Sequence, residues 1–402
     1  MKKYTEDSMT APRPTVRVGL IGAGFVAHIH GLAYQHVRGV DVELACVTAS
    51  RPARAQAYAK EFKVARVAAD FRAVLADPDV DLVDLCVPPH HHAPMAIEAA
   101  RAGKHVIVEK PLTGFFGPSA TPREDMLRSA LAAADEVLAA TAAAGVRLCY
   151  AENWVYAPPI QKARRLLAAS GGPILRLVGE ESHSGTHSAV NKHWVTGGGG
   201  SLIGKACHPL GGALYLKADE GRRLRGAPVR PVSVMAEVAH LADTAVFRAS
   251  SPRYLNTVDG ADVEDWGSML VTFDDGTVAQ ISAADTVLGG IRNSMAIYGA
   301  KAVVLCNINP NDVVQAYAPD PAVFGDEYIV EKIETKAGWT APQPDEEWTT
   351  GYPQEIQDFV ECVAFGREPL SGGPLARDVT AVIYGAYLSA ATGHRIDLRP
   401  FL

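Results

Sequence analysis

The stretch VRVGLIGAGFVAHIH, residues 16 to 30, decides the fold of the N-terminal part of this chain. A short apolar run rich in β-branched residues is followed by Gly22, Gly24 and Ala27 in a GxGxxA pattern and by a segment typical of a helix. The first glycine permits a tight turn, the second lets the backbone approach a pyrophosphate, and the small Ala27 permits close packing of helix on strand. The pattern therefore predicts a dinucleotide cradle, with a glycine-rich turn that binds nothing as the alternative.

Composition bounds the class of protein. A chain of 402 residues is too long for one ordinary hydrophobic core, so we expect two or three domains. A net charge of -7 with no basic stripe argues against a nucleic-acid partner. No apolar run reaches the ~18 residues of a membrane span, and the polar residues 1–15 lack the apolar core of a signal peptide. We therefore expect a flexible leader on a cytoplasmic protein that has no membrane partner.

The end of the second strand is expected to select the cofactor. Residues 41–50, DVELACVTAS, predict that strand, and RPARAQAYAKEF predicts the helix after it. NAD enzymes usually carry an acidic residue at this point, whereas here Ala49 is followed by Ser50 and Arg51. An arginine pairs well with a 2′-phosphate, which favours NADP, but it can also stack on adenine in an NAD site. The prediction is NAD or NADP, with the local chemistry favouring NADP.

A second informative stretch covers residues 80–114. A strand over Val80–Val87, a helix from about His92 to Ala102 and a strand over His105–Val108 lead to Glu109, Lys110 and Pro111. A lysine just beyond the carboxyl end of a strand lies where open α/β sheets bind ligands. The alternative is a solvated Glu-Lys pair before a turn.

The quoted motifs GAGFVA and VPPHHHAPMAIEAARAGKHVIVEKPL resemble the Gfo/Idh/MocA family of NAD(P)-dependent oxidoreductases, and the resemblance extends over essentially the whole chain. It implies that Lys110 lies between nicotinamide and substrate and contacts the reacting hydroxyl, with Glu109 in a supporting role. His92 is expected to begin a helix, and His90 and His91 to face the cofactor mouth. The expected cofactor-binding residues are Gly22, Gly24, Phe25, Val26, Ala27, Ser50, Arg51, Pro88, His90, His92, Glu109 and Lys110.

The predicted fold class is α/β, with a Rossmann domain over residues 16–150 and a C-terminal α/β domain with an open, mostly antiparallel sheet over residues 151–402. A loop over residues 115–127, a helix over 127–144 and a last strand over 146–150 complete the first domain. Turns at Asp275-Gly276 and Gly299-Ala300 predict two hairpins in the second. One sheet face should pack on helices. The other is free for the cofactor or a second subunit, so we expect a homo-oligomer through this sheet.

The segment HSGTHSAVNKHWVTGGGGSLIGKACHPLGGALYLK, residues 183–217, resembles the family's glycine run followed by an apolar helix with a catalytic histidine. That histidine is His208, which suits an acid/base because imidazole titrates near neutral pH. The alternative is a hydrogen-bonded core histidine. Four residues earlier, where the family has an aspartate, this chain has Gly204, and Lys205 stands beside the vacancy.

Several polar residues are expected to line a cleft for a small carbohydrate, and an anionic sugar is one option. They are Glu152, Asn153, Tyr156, His183, His187, Lys192, His193 and Lys205. Residues 152–156 could instead form the capped start of a helix, and the others could be ordinary solvated side chains. No metal is expected, because the histidines and Cys207 show no recognised zinc-ligand spacing.

These residues predict oxidation of a secondary hydroxyl of a sugar or cyclitol, or the reverse reduction. One alternative is an NAD-dependent glycosidase that oxidises C3 transiently, eliminates the aglycone and takes the hydride back. Lys192, Lys205 and the loop histidines would then suit an anionic sugar such as a sulfoquinovoside. A second alternative is a non-catalytic, dinucleotide-binding regulator.

Overall fold

The computed structural model describes residues 13–185, 188–250, 261–310 and 312–402. The predicted leader therefore lies almost entirely outside the described residues. In these ranges no helix has both the length and the apolar character needed to cross a membrane.

The first sheet has six parallel strands in the order β3-β2-β1-β4-β5-β6. Its strands are β1 (Thr15–Ile21), β2 (Asp41–Thr48), β3 (Arg66–Val67), β4 (Leu82–Leu85), β5 (His105–Glu109) and β6 (Leu148–Ala151). The helices are α1 (Phe25–Tyr34), α2 (Pro52–Phe62), α3 (Phe71–Leu75), α4 (His92–Arg101) and α5 (Arg123–Ala144). This arrangement confirms the predicted Rossmann-type sheet.

Some predicted boundaries differ from the structure. Helix α5 begins four residues before the predicted start, because Pro122 precedes it and Glu124 and Asp125 occupy its first turn, where acidic groups favour a helix N-terminus. The strand predicted over residues 80–87 is regular only over β4, since Pro88 and Pro89 end its pairing.

The remaining helices and strands build the second sheet and its cover. They are α6 (Pro158–Ser170), β7 (Ile174–Ser182), α7 (Trp194–Gly197), α8 (Cys207–Arg225), β8 (Pro231–Ala239), α9 (Ala245–Ser250), β9 (Trp266–Phe273), β10 (Val278–Ala284), β11 (Arg292–Gly299), β12 (Val303–Asn307), β13 (Ala316–Ala318), β14 (Gly338–Thr340), α10 (Glu346–Thr350), α11 (Tyr352–Phe365), α12 (Gly373–Thr392) and β15 (Ile396–Asp397).

The second sheet has the order β12-β11-β7-β10-β9-β8-β15 and is mostly antiparallel, as predicted. Both predicted hairpins, β9–β10 and β11–β12, are present. The exception to the antiparallel order is the parallel pair β7–β10, which hairpins alone cannot produce because β7 is separated from β10 by α8 and two strands.

Helix α12 connects the two sheets. Helix α12 packs against α5 of the Rossmann half and also against α8 and β8 of the second half. The inner face of the second sheet buries Leu177, Ile281 and Met295 beneath this layer. The helix layer thereby fixes the carboxyl end of β7 opposite the carboxyl ends of the Rossmann strands.

Candidate active site

A cavity of about 1160 Å³ lies between the two halves of the molecule. The carboxyl ends of β1, β2, β4 and β5 contribute one wall, the end of β7 and the first turn of α8 the other. This is the edge at which open parallel sheets bind ligands.

The glycine turn has the geometry that a dinucleotide requires. Gly22 has a φ of +106°, and a Cβ on it would lie 2.0 Å from the carbonyl oxygen of Cys86. At Gly24, apart from its two chain neighbours, no atom of the described residues lies within 4 Å of an added Cβ, so this backbone is open to the cavity. Phe25 and Val26 in the first turn of α1 also line the cavity, whereas Ala27 is fully buried against the sheet. A pyrophosphate fits this cradle at the start of a helix.

The wall at the end of β2 is basic. Ser50, Arg51 and Arg54 line it. Asp70 lies in the same wall, but its carboxylate accepts a hydrogen bond of 2.8 Å from the backbone N–H of Ala73 and caps α3. The guanidinium groups are therefore the charged groups here that remain for an adenosine phosphate.

Lys110 follows directly after β5 and crosses to the other half of the molecule. Its Nζ donates a hydrogen bond of 2.7 Å to the carbonyl oxygen of Gly204. Burial by itself lowers the pKa of this ammonium, but Cys207, Glu181 and other nearby acidic groups outweigh burial and raise the pKa above its usual value. Lys110 is therefore a cation in the cavity at neutral pH.

A buried network beneath Lys110 was not found by sequence reasoning. His30 Nδ1 lies 2.9 Å from Asp84 Oδ2, and His30 Nε2 lies 3.2 Å from Glu109 Oε1. Glu109 in turn accepts a hydrogen bond of 3.0 Å from the backbone N–H of Lys110. The signal was a histidine on the buried face of α1, where a polar group needs a partner. The network fixes the Glu109 side chain next to the lysine.

His208 lies in the first turn of α8, in the same cavity as Lys110. Its Nδ1 is 2.6 Å from Glu152 Oε1, and its ring stacks on Trp154 at a centroid distance of 6.5 Å. Burial lowers the pKa of His208 to about 4, and the positive charge of Lys110 acts in the same direction. At neutral pH the imidazole is therefore neutral. In the tautomer that donates Nδ1–H to Glu152, Nε2 offers a lone pair to a proton.

Glu152, Cys207 and His208 bring possible metal-ligand atoms within 4.8 Å of one another. Burial, however, raises the pKa of the Cys207 thiol, so that it stays protonated, whereas a metal binds the thiolate. His208 Nδ1 is already bonded to Glu152. The chemistry of this group therefore does not fit a metal site.

Of the expected substrate-binding residues, Asn153, His183, Lys192 and Lys205 line the cavity. Lys205 forms an ion pair with Asp285, so its charge is already compensated rather than standing free beside Gly204. His183 Nδ1 is buried without a partner among the described residues, and burial lowers the pKa of this imidazole. His187 lies outside the described residues.

Other expected site residues do not line the cavity, so a binding role for them stays a prediction. They are Ala27, His90, His92, Glu152, Tyr156 and His193. Tyr156 is turned away because its hydroxyl donates to Asp358 and accepts from the backbone N–H of Ser371. Both ring nitrogens of His92 lie within 2.8 Å of backbone carbonyls, which fixes the loop between Val87 and Pro111.

Two other histidines that were expected in the site, His90 and His193, have partners outside the cavity. His90 Nδ1 lies 3.3 Å from the carbonyl oxygen of Thr196, and His193 Nδ1 lies 3.5 Å from Asp262. His91, rather than His90, faces the cavity. A run of three histidines does not show which ring faces inward, because the short helical turn over residues 89–91 rotates each residue to a different side.

Sequence reasoning missed several cavity residues, among them Glu181, Glu264, Asp285 and Lys332. The ammonium of Lys332 is buried without a partner among the described residues, and burial lowers its pKa. Burial raises the pKa of Glu264 to about 7, although its carboxyl accepts hydrogen bonds from the backbone N–H groups of Gly200 and Leu202. No motif links these residues, which come from separate segments of the chain.

Both halves of the chain match known protein families. Residues 16–148 match the model of the GFO/IDH/MocA oxidoreductase family, NAD-binding Rossmann fold, and residues 160–305 match the GFO/IDH/MocA C-terminal domain. The chain is 25% identical to inositol 2-dehydrogenase of Rhizobium meliloti over 96% of its own length and 99% of that protein. It is 30% identical to D-glucoside 3-dehydrogenase of Escherichia coli over 50% of its own length and about half, 54%, of that protein.

The fold is shared with solved structures. The crystal structure of GenD2 from gentamicin A biosynthesis, in complex with NAD, superposes with a TM-score of 0.78 at 24% identity, over 96% of this chain and 99% of that one. At this identity the likeness shows the common fold.

Proposed function

The chain belongs to the Gfo/Idh/MocA family of oxidoreductases, and we propose that it oxidises a secondary hydroxyl of a sugar or cyclitol, or reduces the corresponding ketone, with a pyridine nucleotide. The observation that carries this proposal is the shared cavity, which joins the glycine cradle to Lys110 and His208. The names of the relatives, which act on inositol and on a glucoside, support the carbohydrate class.

Three side chains of the protein have separate roles in the proposed reaction. A bound nicotinamide supplies the acceptor or donor of hydride. The Lys110 ammonium binds the oxygen of the reacting hydroxyl and stabilises negative charge that develops there. The hydroxyl proton passes to Nε2 of the neutral His208 while the carbon loses its hydrogen with the bonding electron pair, so that a ketone forms. Glu152 orients the imidazole through Nδ1.

A substrate panel tests this function. The purified protein would be mixed with NAD or NADP and with myo-inositol, methyl glucosides, glucose or an aminocyclitol, and formation of the reduced nucleotide would be followed by its absorbance. We expect turnover with at least one of these compounds. Nucleotide binding without turnover on the whole panel would favour the non-catalytic regulator.

A second candidate function is the redox-neutral glycosidase. One observation favours it: His183 lines the cavity and its buried Nδ1 has no hydrogen-bond partner among the described residues, so this imidazole is the proposed base for the C2 proton of a 3-keto sugar. This function predicts release of p-nitrophenol from p-nitrophenyl glucosides with a catalytic amount of nucleotide and deuterium at C2 in heavy water. Stoichiometric formation of reduced nucleotide without exchange would exclude it. A sulfoquinovoside belongs in the same assay because Lys192 and Lys332 line the cavity.

We also propose that the second sheet forms a homo-oligomer. Its outer face carries Met235, Leu270, Val278, Val303 and Leu305, and the last of these is 72% exposed. Met235 and Leu270 are direct cross-strand partners, so these two apolar side chains form one patch in the middle of the face. An exposed apolar sheet face of this kind is typical of a subunit interface.

A further inference from the structure

The cavity contains a carboxyl group that the proposed reaction has not used. Among the described residues, several buried or half-buried carboxyl groups lie around Lys110 and His208, and most of them have hydrogen-bond donors. Glu109 is bonded to His30, Glu152 to His208, Asp285 to Ser201 and Lys205, and Glu264 to the backbone of residues 200 and 202. Oε2 of Glu152 and Oε2 of Glu181 are both buried without a partner in the described part of the chain, but Glu152 is bonded to His208 through its Oε1, which leaves Glu181 as the carboxyl without an assigned role.

Strand β7 places this carboxyl beside the reacting groups. Gly179 packs directly on α8, since a Cβ there would lie 2.8 Å from Cβ of Pro209, the residue after His208. Glu181 is two residues further along β7, about 7 Å away and on the same side of the strand. It is only 8% exposed and lines the same cavity as Lys110 and His208.

The neighbours in the sheet leave this carboxyl free. The register partners of Glu181 are Ala283 on β10, which has no polar side chain, and Asn293 on β11. The side-chain nitrogen of Asn293 donates to Asn309 instead. A buried carboxyl oxygen without a hydrogen-bond donor is costly for folding, so its retention at a reaction centre points to a functional reason.

Position 204, next to Lys110, contributes no side chain to the cavity because it is a glycine. Lys110 Nζ is bonded to the backbone oxygen of Gly204, and apart from the chain neighbours and the backbone of its own helix, no atom of the described residues lies within 4 Å of a Cβ added at Gly204. Gly204 is not among the residues with positive φ, so a larger residue fits its backbone. Room for a carboxyl therefore exists at position 204 next to Lys110, while the carboxyl that is present comes from β7.

From this arrangement we propose that Glu181 is a catalytic residue: its Oε2 accepts the hydrogen bond of the reacting hydroxyl beside Lys110 and holds that hydroxyl for proton transfer to His208. The proposal rests on the oxidoreductase function proposed above. Burial raises the pKa of Glu181 above its usual value, whereas its neighbours His208, Lys110 and Lys205 act in the opposite direction and favour the anionic form that the proposal needs.

Relocation of the carboxyl tests the proposal. Glu181→Gln keeps the shape and removes the charge, and we expect it to lower kcat about 10²-fold on whichever panel compound the wild-type protein oxidises, at the lower end of the range for acid-base groups. The double variant with Glu181→Gln and Gly204→Asp should have a kcat at least tenfold higher than that of Glu181→Gln alone. The matched control, Glu181→Gln with Gly204→Asn, fills the same space without a charge and should restore nothing.

The melting temperature and the wild-type activity distinguish a failure of the Glu181 proposal from a failure of the oxidoreductase function. The melting temperature of Glu181→Gln should equal or exceed that of the wild type, since an unsatisfied carboxyl is removed; a clear decrease would show a structural role and overturn the proposal. Unchanged kcat in Glu181→Gln, or equal rates for the two double variants, the one with Gly204→Asp and the one with Gly204→Asn, would also overturn it. Inactivity of the wild-type protein on every panel compound would instead refute the underlying oxidoreductase function.

Discussion

At the scale of single residues, Lys110 offers the sharpest test of the reaction. Lys110→Met keeps the length of the side chain but removes the ammonium, so turnover should fall by at least about 10³-fold because the reacting oxygen loses its positive partner. Binding of the reduced nucleotide, measured by its fluorescence, should change less than threefold because the phosphates bind at the glycine cradle. The control Lys162→Met, on the exposed side of α6, should be as active as the wild type. Equal losses of binding and turnover would contradict the assignment.

His208 predicts both a rate and a pH dependence. His208→Asn should lower kcat by roughly 10² to 10⁴, while the exposed His394→Asn should have no effect. Because the pKa of His208 is lowered to about 4, its basic form is present at neutral pH and is lost only as the pH falls through that value. We therefore expect that protonation of His208 causes no decrease in kcat/KM between pH 5 and 8. An acid limb near the ordinary histidine pKa would contradict the neutral, buried state.

At the scale of elements, the end of β2 controls cofactor choice. Arg51 and Arg54 line the cavity there, so Arg51→Ala should raise the KM for NADP about tenfold and that for NAD less than threefold. Arg101→Ala, at the exposed end of α4, serves as the control. If the wild-type protein prefers NAD, the preference for NADP that residues 49–51 indicate is wrong. Equal effects on both nucleotides would mean that Arg51 stacks on adenine.

At the scale of the whole molecule, the outer sheet face predicts assembly. Met235→Glu with Leu270→Glu places two carboxylates in the middle of this face and should shift the protein to a monomer in light scattering after gel filtration. Leu224→Glu is a matched control, because Leu224 is 48% exposed and Leu270 49%, but Leu224 lies at the end of α8. A wild-type monomer at micromolar concentration would contradict the proposed oligomer.

Local sequence patterns determined the Rossmann half and the hairpins of the second sheet. The GxGxxA turn, the lysine after β5 and the two hairpins each depend on residues within about 20 positions of one another, so backbone preferences and periodicity suffice to predict them. The sequence therefore determined the α/β class, the dinucleotide cradle and the places of Lys110 and His208 at strand and helix ends.

Only the tertiary structure decided which side chains meet in the cavity. Glu181, Asp285 and Lys332 come from separate segments with no common spacing, and Tyr156 turns away because Asp358, 202 positions later, binds its hydroxyl. Hydrogen bonding and burial are satisfied in three dimensions, between groups that packing brings together from distant parts of the chain. The sequence alone could show that Gly204 lacks a carboxyl, but the proximity of Glu181 on β7 depends on how α8 packs on the second sheet.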